Sequence, residues 1–472
     1  MGRMSPPSPR RVDLTQGRLL RGIVLLSWPI VTSSFLQFLM GVADTKMVGA
    51  LGPSAIAAVG TSRGAIMTLM AAILAVSTGT QVLVARFMGE GRPDRAADVA
   101  RQAIILSVLL GLVLAPVGWF LAGPIMAALG AKEAVLAQGV AYTRVFFLGA
   151  VALMVNFMIT AALNGAGDTL TVLYVLAGIN AGNILLDWLL IFGVGPFPRL
   201  EVAGAAWAVV LSRSVGAVVL LGILSCGRYV LRMSLASGWT VDLGLWGKMF
   251  YIGVPNSLQG LTRNLSFLAV LWILNQTAAS RLAVAGHTIC GQILMIMIVV
   301  GLALMSAAMT AVSQNLGAGS PERAERSGWI IAGMSMAVIA VLSAAAIVLA
   351  RPLVGFFTSN EQAIHWGVVA LVTLAAVRPL GAASMAFSGA LRGAGDTLSP
   401  LWVSLIFTSG VGPGLAYLFT VVLGCGPQGA WAGMAVATVL QALAIGWIFK
   451  RGKWKTIKLG GERGEAAEPS SE

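Results

Sequence analysis

Charge is scarce in this sequence: Asp, Glu, Lys and Arg together make up 10% of its 472 residues. A water-soluble domain carries roughly 25%, so a surface that faces water all round is excluded. Cysteine is scarce as well. Cys226, Cys290 and Cys425 are too few and too scattered for a disulfide framework or a thiolate metal centre. The only two histidines, His287 and His365, offer no metal-ligand spacing. An intramembrane enzyme would need a Ser/His, paired-acid or metal constellation, and the two isolated histidines argue against one, so an enzyme is not expected.

What is present is apolar. Hydrophobic residues make up 57% of the chain, alongside 57 glycines, and small residues let membrane helices approach closely. Apolar stretches lie near 23–47, 55–83, 99–122, 135–162, 169–193 and 203–225, then 248–275, 283–312, 327–350, 364–390, 398–424 and 429–449. Each is long enough to cross a bilayer, which predicts an all-α integral membrane protein with about twelve transmembrane helices. The net charge of +13 does not point to nucleic acid, because of where it sits. Arg3, Arg10, Arg11, Arg18 and Arg21 precede the first span, and KRGKWKTIKLGGER follows the last. Between them, Arg86, Arg92, Arg95 and Arg101, then Arg228, Arg232 and Lys248, then Arg323, Arg326 and Arg392 fall on the same side. The opposite loops hold only Lys132, Arg199, Arg281 and Arg351. This asymmetry predicts both termini in the cytoplasm. No cleavable signal is expected, since the polar N-terminus leads into a full-length span.

The chain also repeats itself. NGAGDT begins at 164 and RGAGDT at 392, 228 residues apart. ARFMGEGRPDRA at 85 pairs with SQNLGAGSPERA at 313, again 228 apart. Pro29 faces Pro255 at 226, and GAAWA at 204 faces QGAWA at 428, at 224. The order and near-constant offset predict two homologous six-helix lobes, 22–235 and 236–450, between a cytoplasmic segment 1–21 and a tail 451–472. An even number of helices per lobe makes them parallel repeats, which usually place a substrate path between lobes. The Gly residues of the hexapeptide suit a tight turn, and Asp168 and Asp396 suit capping of the helices that follow.

WPIV…GVADTKMVGALG in the first helix, GEGRPDRA after the second, NGAGDT and RGAGDT, and NAGNILLDWLLIFG together resemble the multidrug and toxic compound extrusion (MATE) antiporters. The resemblance is to the prokaryotic, archaeal-type branch and covers roughly residues 15–450. It implies a V-shaped, two-lobe, MATE-like bundle in the inner (plasma) membrane. It further implies a monomer that exports small organic compounds, mostly cationic and amphipathic, against an inward H+ or Na+ flux. No other cofactor or metal is implied.

Asp44 and Asp187 are the acids within the expected spans, where a charge costs roughly 2.5–3.5 kcal/mol or more and so tends to be functional. At 1.5 Å per residue they lie about 33 and 27 Å along their helices, at similar heights. Asn183 shares the face of Asp187, one turn away, and Tyr142 enters from the outer end of the fourth helix. These four resemble the family's first-lobe cation site. Two carboxylates in a low dielectric repel each other and welcome a proton or a metal ion. Other roles stay open: Asp44 could cap a helix or pair with Lys46 or Arg63, and Asp187 could pair with Arg213. Val209 stands where many members keep a Thr hydroxyl. Na+ wants several hard oxygens, so H+ is favoured, with Na+ at Asp44 and Asp187 the other choice.

By the same resemblance Gln37 and Asn156 line the substrate cavity, although an interhelical hydrogen bond would explain either equally well. Pro29 removes a helix hydrogen bond and permits bending. In the seventh helix, where other branches carry an acid, PNSLQGLTR offers Arg263. It either faces an anionic or zwitterionic cargo or pairs with polar neighbours. Arg63, Arg144, Arg213, Arg263 and Arg378 keep an alternative in view, a lipid-linked glycan flippase of the same superfamily, although those proteins typically need about fourteen spans.

Overall fold

A computed structural model describes residues 12–226, 231, 240–277 and 279–457. Arg3, Arg10, Arg11, Arg228, Arg232, most of the polar linker and the tail beyond 457 lie outside the described residues. Regular structure among the described residues is helical throughout. The helices are α1 (Leu19–Gly49), α2 (Pro53–Gly89), α3 (Pro93–Ala128), α4 (Glu133–Leu148), α5 (Ala150–Ala166), α6 (Thr169–Phe192) and α7 (Glu201–Ser225). After the linker come α8 (Leu243–Asn275), α9 (Ser280–Gly317), α10 (Pro321–Val348), α11 (Ala350–Gly355), α12 (Glu361–Gly393), α13 (Leu398–Val403), α14 (Gly412–Tyr417) and α15 (Pro427–Arg451).

Ten helical stretches are long and apolar enough to cross a membrane, and α4 with α5, bent by 53°, make an eleventh. The remaining long helix, α8, has 33 residues. Lys248, Asn256, Gln259, Thr262, Arg263 and Asn264 make it the most polar of the set.

Two expected spans are not single helices. The stretch 135–162 breaks at Gly149, where a side chain would run into Val210 of α7. The stretch 398–424 holds π-helical turns at Ser404–Val411 and Leu418–Val422, on either side of α14. Pro413, in the first turn of α14, has no N–H to donate, so the ladder widens on its N-terminal side.

Packing divides the chain into two units: Met1–Asp13 with Trp28–Val254, and Leu14–Ser27 with Pro255–Glu472. The repeat spacing sets the join at 235/236, whereas packing sets it inside α8, at Pro255. The reason is local. Gly253 lies against the backbone of Ala75, and Gly79 of α2 lies against the backbone of Met249. The chain entering α8 is tied to α3 as well, with Gln102 Nε2 donating to the Thr240 carbonyl at 2.6 Å and Asp242 N–H to Gln102 Oε1 at 3.1 Å. Residues 243–254 therefore complete the first unit.

The two units are built alike. In the first, α2, α3 and α5 pack mutually; in the second, α9, α10 and α12 do. The repeated hexapeptide explains itself here. A side chain at Gly165 would meet the carbonyl of Gln81, and one at Gly393 would meet the carbonyl of Met309. Both members of each pair are 228 apart, so one helix crossing has been made twice. Gly167 (φ 86°) and Gly395 (φ 95°) follow in the left-handed region, which only glycine occupies freely. Asp168 Oδ1 then accepts from Thr171 N–H at 3.2 Å and Asp396 Oδ1 from Ser399 N–H at 3.0 Å. Asp168→Ala and Asp396→Ala are each expected to cost about 1 kcal/mol, read as a lowered midpoint of thermal unfolding in detergent.

Candidate functional site

The first unit carries the acids, and α6 shows why they share a site. Asn180, Asn183 and Asp187 recur at spacings of three and four, which places all three on one helix face. That face is turned fully inward: Asp187 and Asn183 are each 0% exposed. Among the described residues neither Asp187 oxygen has a hydrogen-bond partner, nor does either polar atom of Asn180 or Asn183. On α1, Asp44 is half-buried and its Oδ1 is also unpartnered. Asp44 lies within electrostatic reach of Asp187, and Tyr142 within reach of both. Tyr142 is buried on α4, stacked on Phe146 with ring centroids 6.2 Å apart.

The structure thus brings together Asp44, Asp187, Tyr142 and, through α6, Asn183. Asn180 belongs to the same face and was not singled out from the sequence. Its signal was there in the spacing N-x2-N-x3-D, which repeats the helix period. Arg63 supplies a countercharge within electrostatic reach of Asp44, but forms no ion pair with it among the described residues.

Arg213 does not pair with Asp187. Its Nη1 donates to Asn156 Oδ1 at 3.3 Å, and its guanidinium lies 5.6 Å from the Phe157 ring. Asn156 is correspondingly buried, a helix-to-helix link between α5 and α7. Gln37 is half-buried two turns before Asp44 on the same face of α1, and it makes no hydrogen bond among the described residues. Pro29 sits inside α1, one residue past the point where the chain enters the first unit. Arg144 is occupied, donating to the Trp119 carbonyl at 3.2 Å and covering its ring at 5.4 Å.

Among the described residues of the second unit no acid lies inside a span. Glu322 and Glu325 stand at the start of α10, Glu361 opens α12, and Asp396 caps the turn before α13. Glu325 pairs with Lys455 at 2.5 Å and Glu361 with Arg351 at 2.9 Å. Arg263 is exposed on α8 and forms no hydrogen bond or ion pair among the described residues.

Residues 29–189 and 255–418, one stretch in each repeat and together more than two thirds of the chain, match the MatE family. The chain belongs to the MatE family. The two matches begin at Pro29 and Pro255, the prolines that mark the change of unit in α1 and α8. Among MatE relatives, a probable multidrug resistance protein NorM of Thermotoga maritima is 26% identical over 441 residues, covering 92% of both chains. An FAD transporter of Shewanella oneidensis is 28% identical over 389 residues, covering 81% of this chain and 85% of its own. The fold is that of a multidrug resistance MATE family transporter solved in an outward-facing conformation. The TM-score is 0.88 at 24% identity, over 95% of this chain and 99% of that one. A multi-pass membrane transporter fold of two lobes follows for this MatE protein.

Proposed function

We propose that this MatE protein exports small organic compounds in exchange for an inward cation by alternating access, with Asp44 and Asp187 holding the coupling ion. The observation that carries this reading is the buried, unpartnered carboxylate of Asp187 within reach of a second acid, Asp44. A buried carboxylate without a partner costs several kcal/mol, so a proton or metal cation that neutralises it binds favourably. Loading changes the charge of the first unit, and a state that tolerates the bare acids differs from one that tolerates the loaded site. A ligand shifts such an equilibrium only through its differential affinity for the two states.

Tyr142, Asn180 and Asn183 complete the site as oxygen and amide groups. Gln37, two turns along from Asp44, orients cargo, and Pro29 lets α1 yield where a helix hydrogen bond is missing. With Val209 supplying no hydroxyl, H+ is the favoured ion over Na+. The cargo class implied by the family is cationic and amphipathic. The two relatives, described as a multidrug resistance protein and an FAD transporter, leave room for other charges. The chain acts as a monomer in the inner membrane with both termini inside, and it is not an enzyme.

The test is dye efflux from proteoliposomes under separate proton and sodium gradients, wild type against Asp44→Asn. Export by the mutant is expected to fall at least tenfold under the driving gradient, the cost of losing one charged ligand. Normal export by the mutant under both gradients refutes the assignment.

A further inference from the structure

The second unit presents donors where the first presents acids. Arg392, at the end of α12, is buried, and its guanidinium reaches Gln259 Oε1 on α8 and lies against Met305 Sδ at 3.2 Å. That contact uses the only acceptor of the Gln259 side chain and leaves its Nε2–H2 as a donor without a partner. Arg392 Nε is also buried and unpartnered. One turn beyond Gln259 on α8 stands Arg263, exposed and bonded to no described residue. Arg378, earlier on α12, holds a buried Nε–H without a partner. Arg263 lies within electrostatic reach of both Arg378 and Arg392. Those two are about 21 Å apart along the helix, from 14 residues at 1.5 Å each.

Three guanidinium groups and an amide NH2 therefore lie within reach of one another through Arg263 and Gln259, and among the described residues no carboxylate pairs with any of them. The unit's four described acids stand at helix ends, and two of them are already paired with Lys455 and Arg351. A structural role would leave these arginines bonded to carbonyls or acids, as Arg323 is to the carbonyls of Leu14, Gln16 and Gly17. Arg263 and Arg378 have no such bonds. Uncompensated guanidinium groups in a low dielectric call for an anion, and the planar donor fork suits carboxylate and phosphate oxygens.

We infer that Arg263, Arg378 and Arg392, with Gln259, form a binding site in the second unit for an extended organic anion bearing carboxylate or phosphate groups. The inference rests on the transporter reading and narrows its cargo to amphiphiles with an anionic group. Arg392 sets the site by fixing the Gln259 amide through its Oε1, which leaves the NH2 as the free donor. Arg263 and Arg378 are the groups left to touch the ligand.

The test uses full-length protein in proteoliposomes and two dyes on one xanthene skeleton, anionic carboxyfluorescein and cationic rhodamine 6G. Wild type is expected to export carboxyfluorescein under the driving gradient. Arg263→Gln and Arg378→Gln should each lower the anion-to-cation export ratio by about tenfold to a hundredfold, the value of one charge-assisted hydrogen bond. Arg263→Lys should recover part of it, which a lost packing contact would not do. Carboxyfluorescein binding to detergent-solubilised, monodisperse protein reads the site without transport and should weaken in the same variants. If neither dye moves under any gradient, the transporter reading fails while the binding measurement still judges the site. If rhodamine 6G moves and carboxyfluorescein neither moves nor binds, the anion site is refuted and the transporter reading stands. If phosphatidylglycerol vesicles, but not phosphatidylcholine vesicles, displace the bound dye, the anion is a lipid headgroup and the cargo assignment falls.

Discussion

Asp187→Asn is expected to abolish gradient-driven export, about a hundredfold or more below wild type, while leaving the protein as stable as before or more so. The two effects have one cause. Both oxygens of Asp187 are buried without a partner on a face that also carries Asn180 and Asn183. A charge in the middle of a membrane helix costs roughly 2.5–3.5 kcal/mol, and an amide of the same shape removes that cost. A site kept at the expense of stability is a site with a function. Proteoliposome flux and the unfolding midpoint in detergent measure the two halves of the expectation. Unchanged flux would remove Asp187 from the coupling site, and a large loss of stability would make it a structural residue.

Gly165→Val and Gly393→Val are expected to be strongly destabilising, each costing about 3 kcal/mol or more. At both positions a side chain would meet the carbonyl of the neighbouring helix, Gln81 in one unit and Met309 in the other. A backbone carbonyl cannot turn aside as a side chain does, so the helix pair must separate. Gly167→Ala and Gly395→Ala force a residue with a side chain into the left-handed φ, at about 1–2 kcal/mol. Folded yield after detergent extraction, followed by thermal unfolding, separates these two classes. Equal losses at all four positions would mean that φ rather than the helix crossing decides.

The repeat was legible because packing at a helix crossing leaves a sequence mark: the same glycines recur 228 residues apart in the same order. Helix positions were legible from hydropathy, α8 least so because its polar residues lower it below the other long helices. The break at Gly149 was not, because it depends on Val210, about 60 residues away in sequence and adjacent only in the fold. The π turns at Ser404–Val411 likewise carry no signal beyond Pro413 itself. The acids of the candidate site stood out by scarcity, and Asn180 by helix period. The partner of Arg213 could not be read, because charge suggested Asp187 whereas geometry delivered Asn156. Arg378 and Arg392 were visible as residues, but their relation to Arg263 needed the contact through Gln259.

The division of α8 at Pro255 has a consequence for how such a chain can be inherited. Cutting at the polar linker separates the two repeats cleanly as sequence, yet neither fragment then holds a whole unit. The first fragment lacks residues 243–254, against which Ala75 and Gly79 are fitted. The second lacks Leu14–Ser27, whose carbonyl at Leu14 is held by Arg323. A half-length ancestor on this geometry would complete itself only by lending its opening segment to a second copy. Fusion of two copies into one chain would then preserve that reciprocal loan.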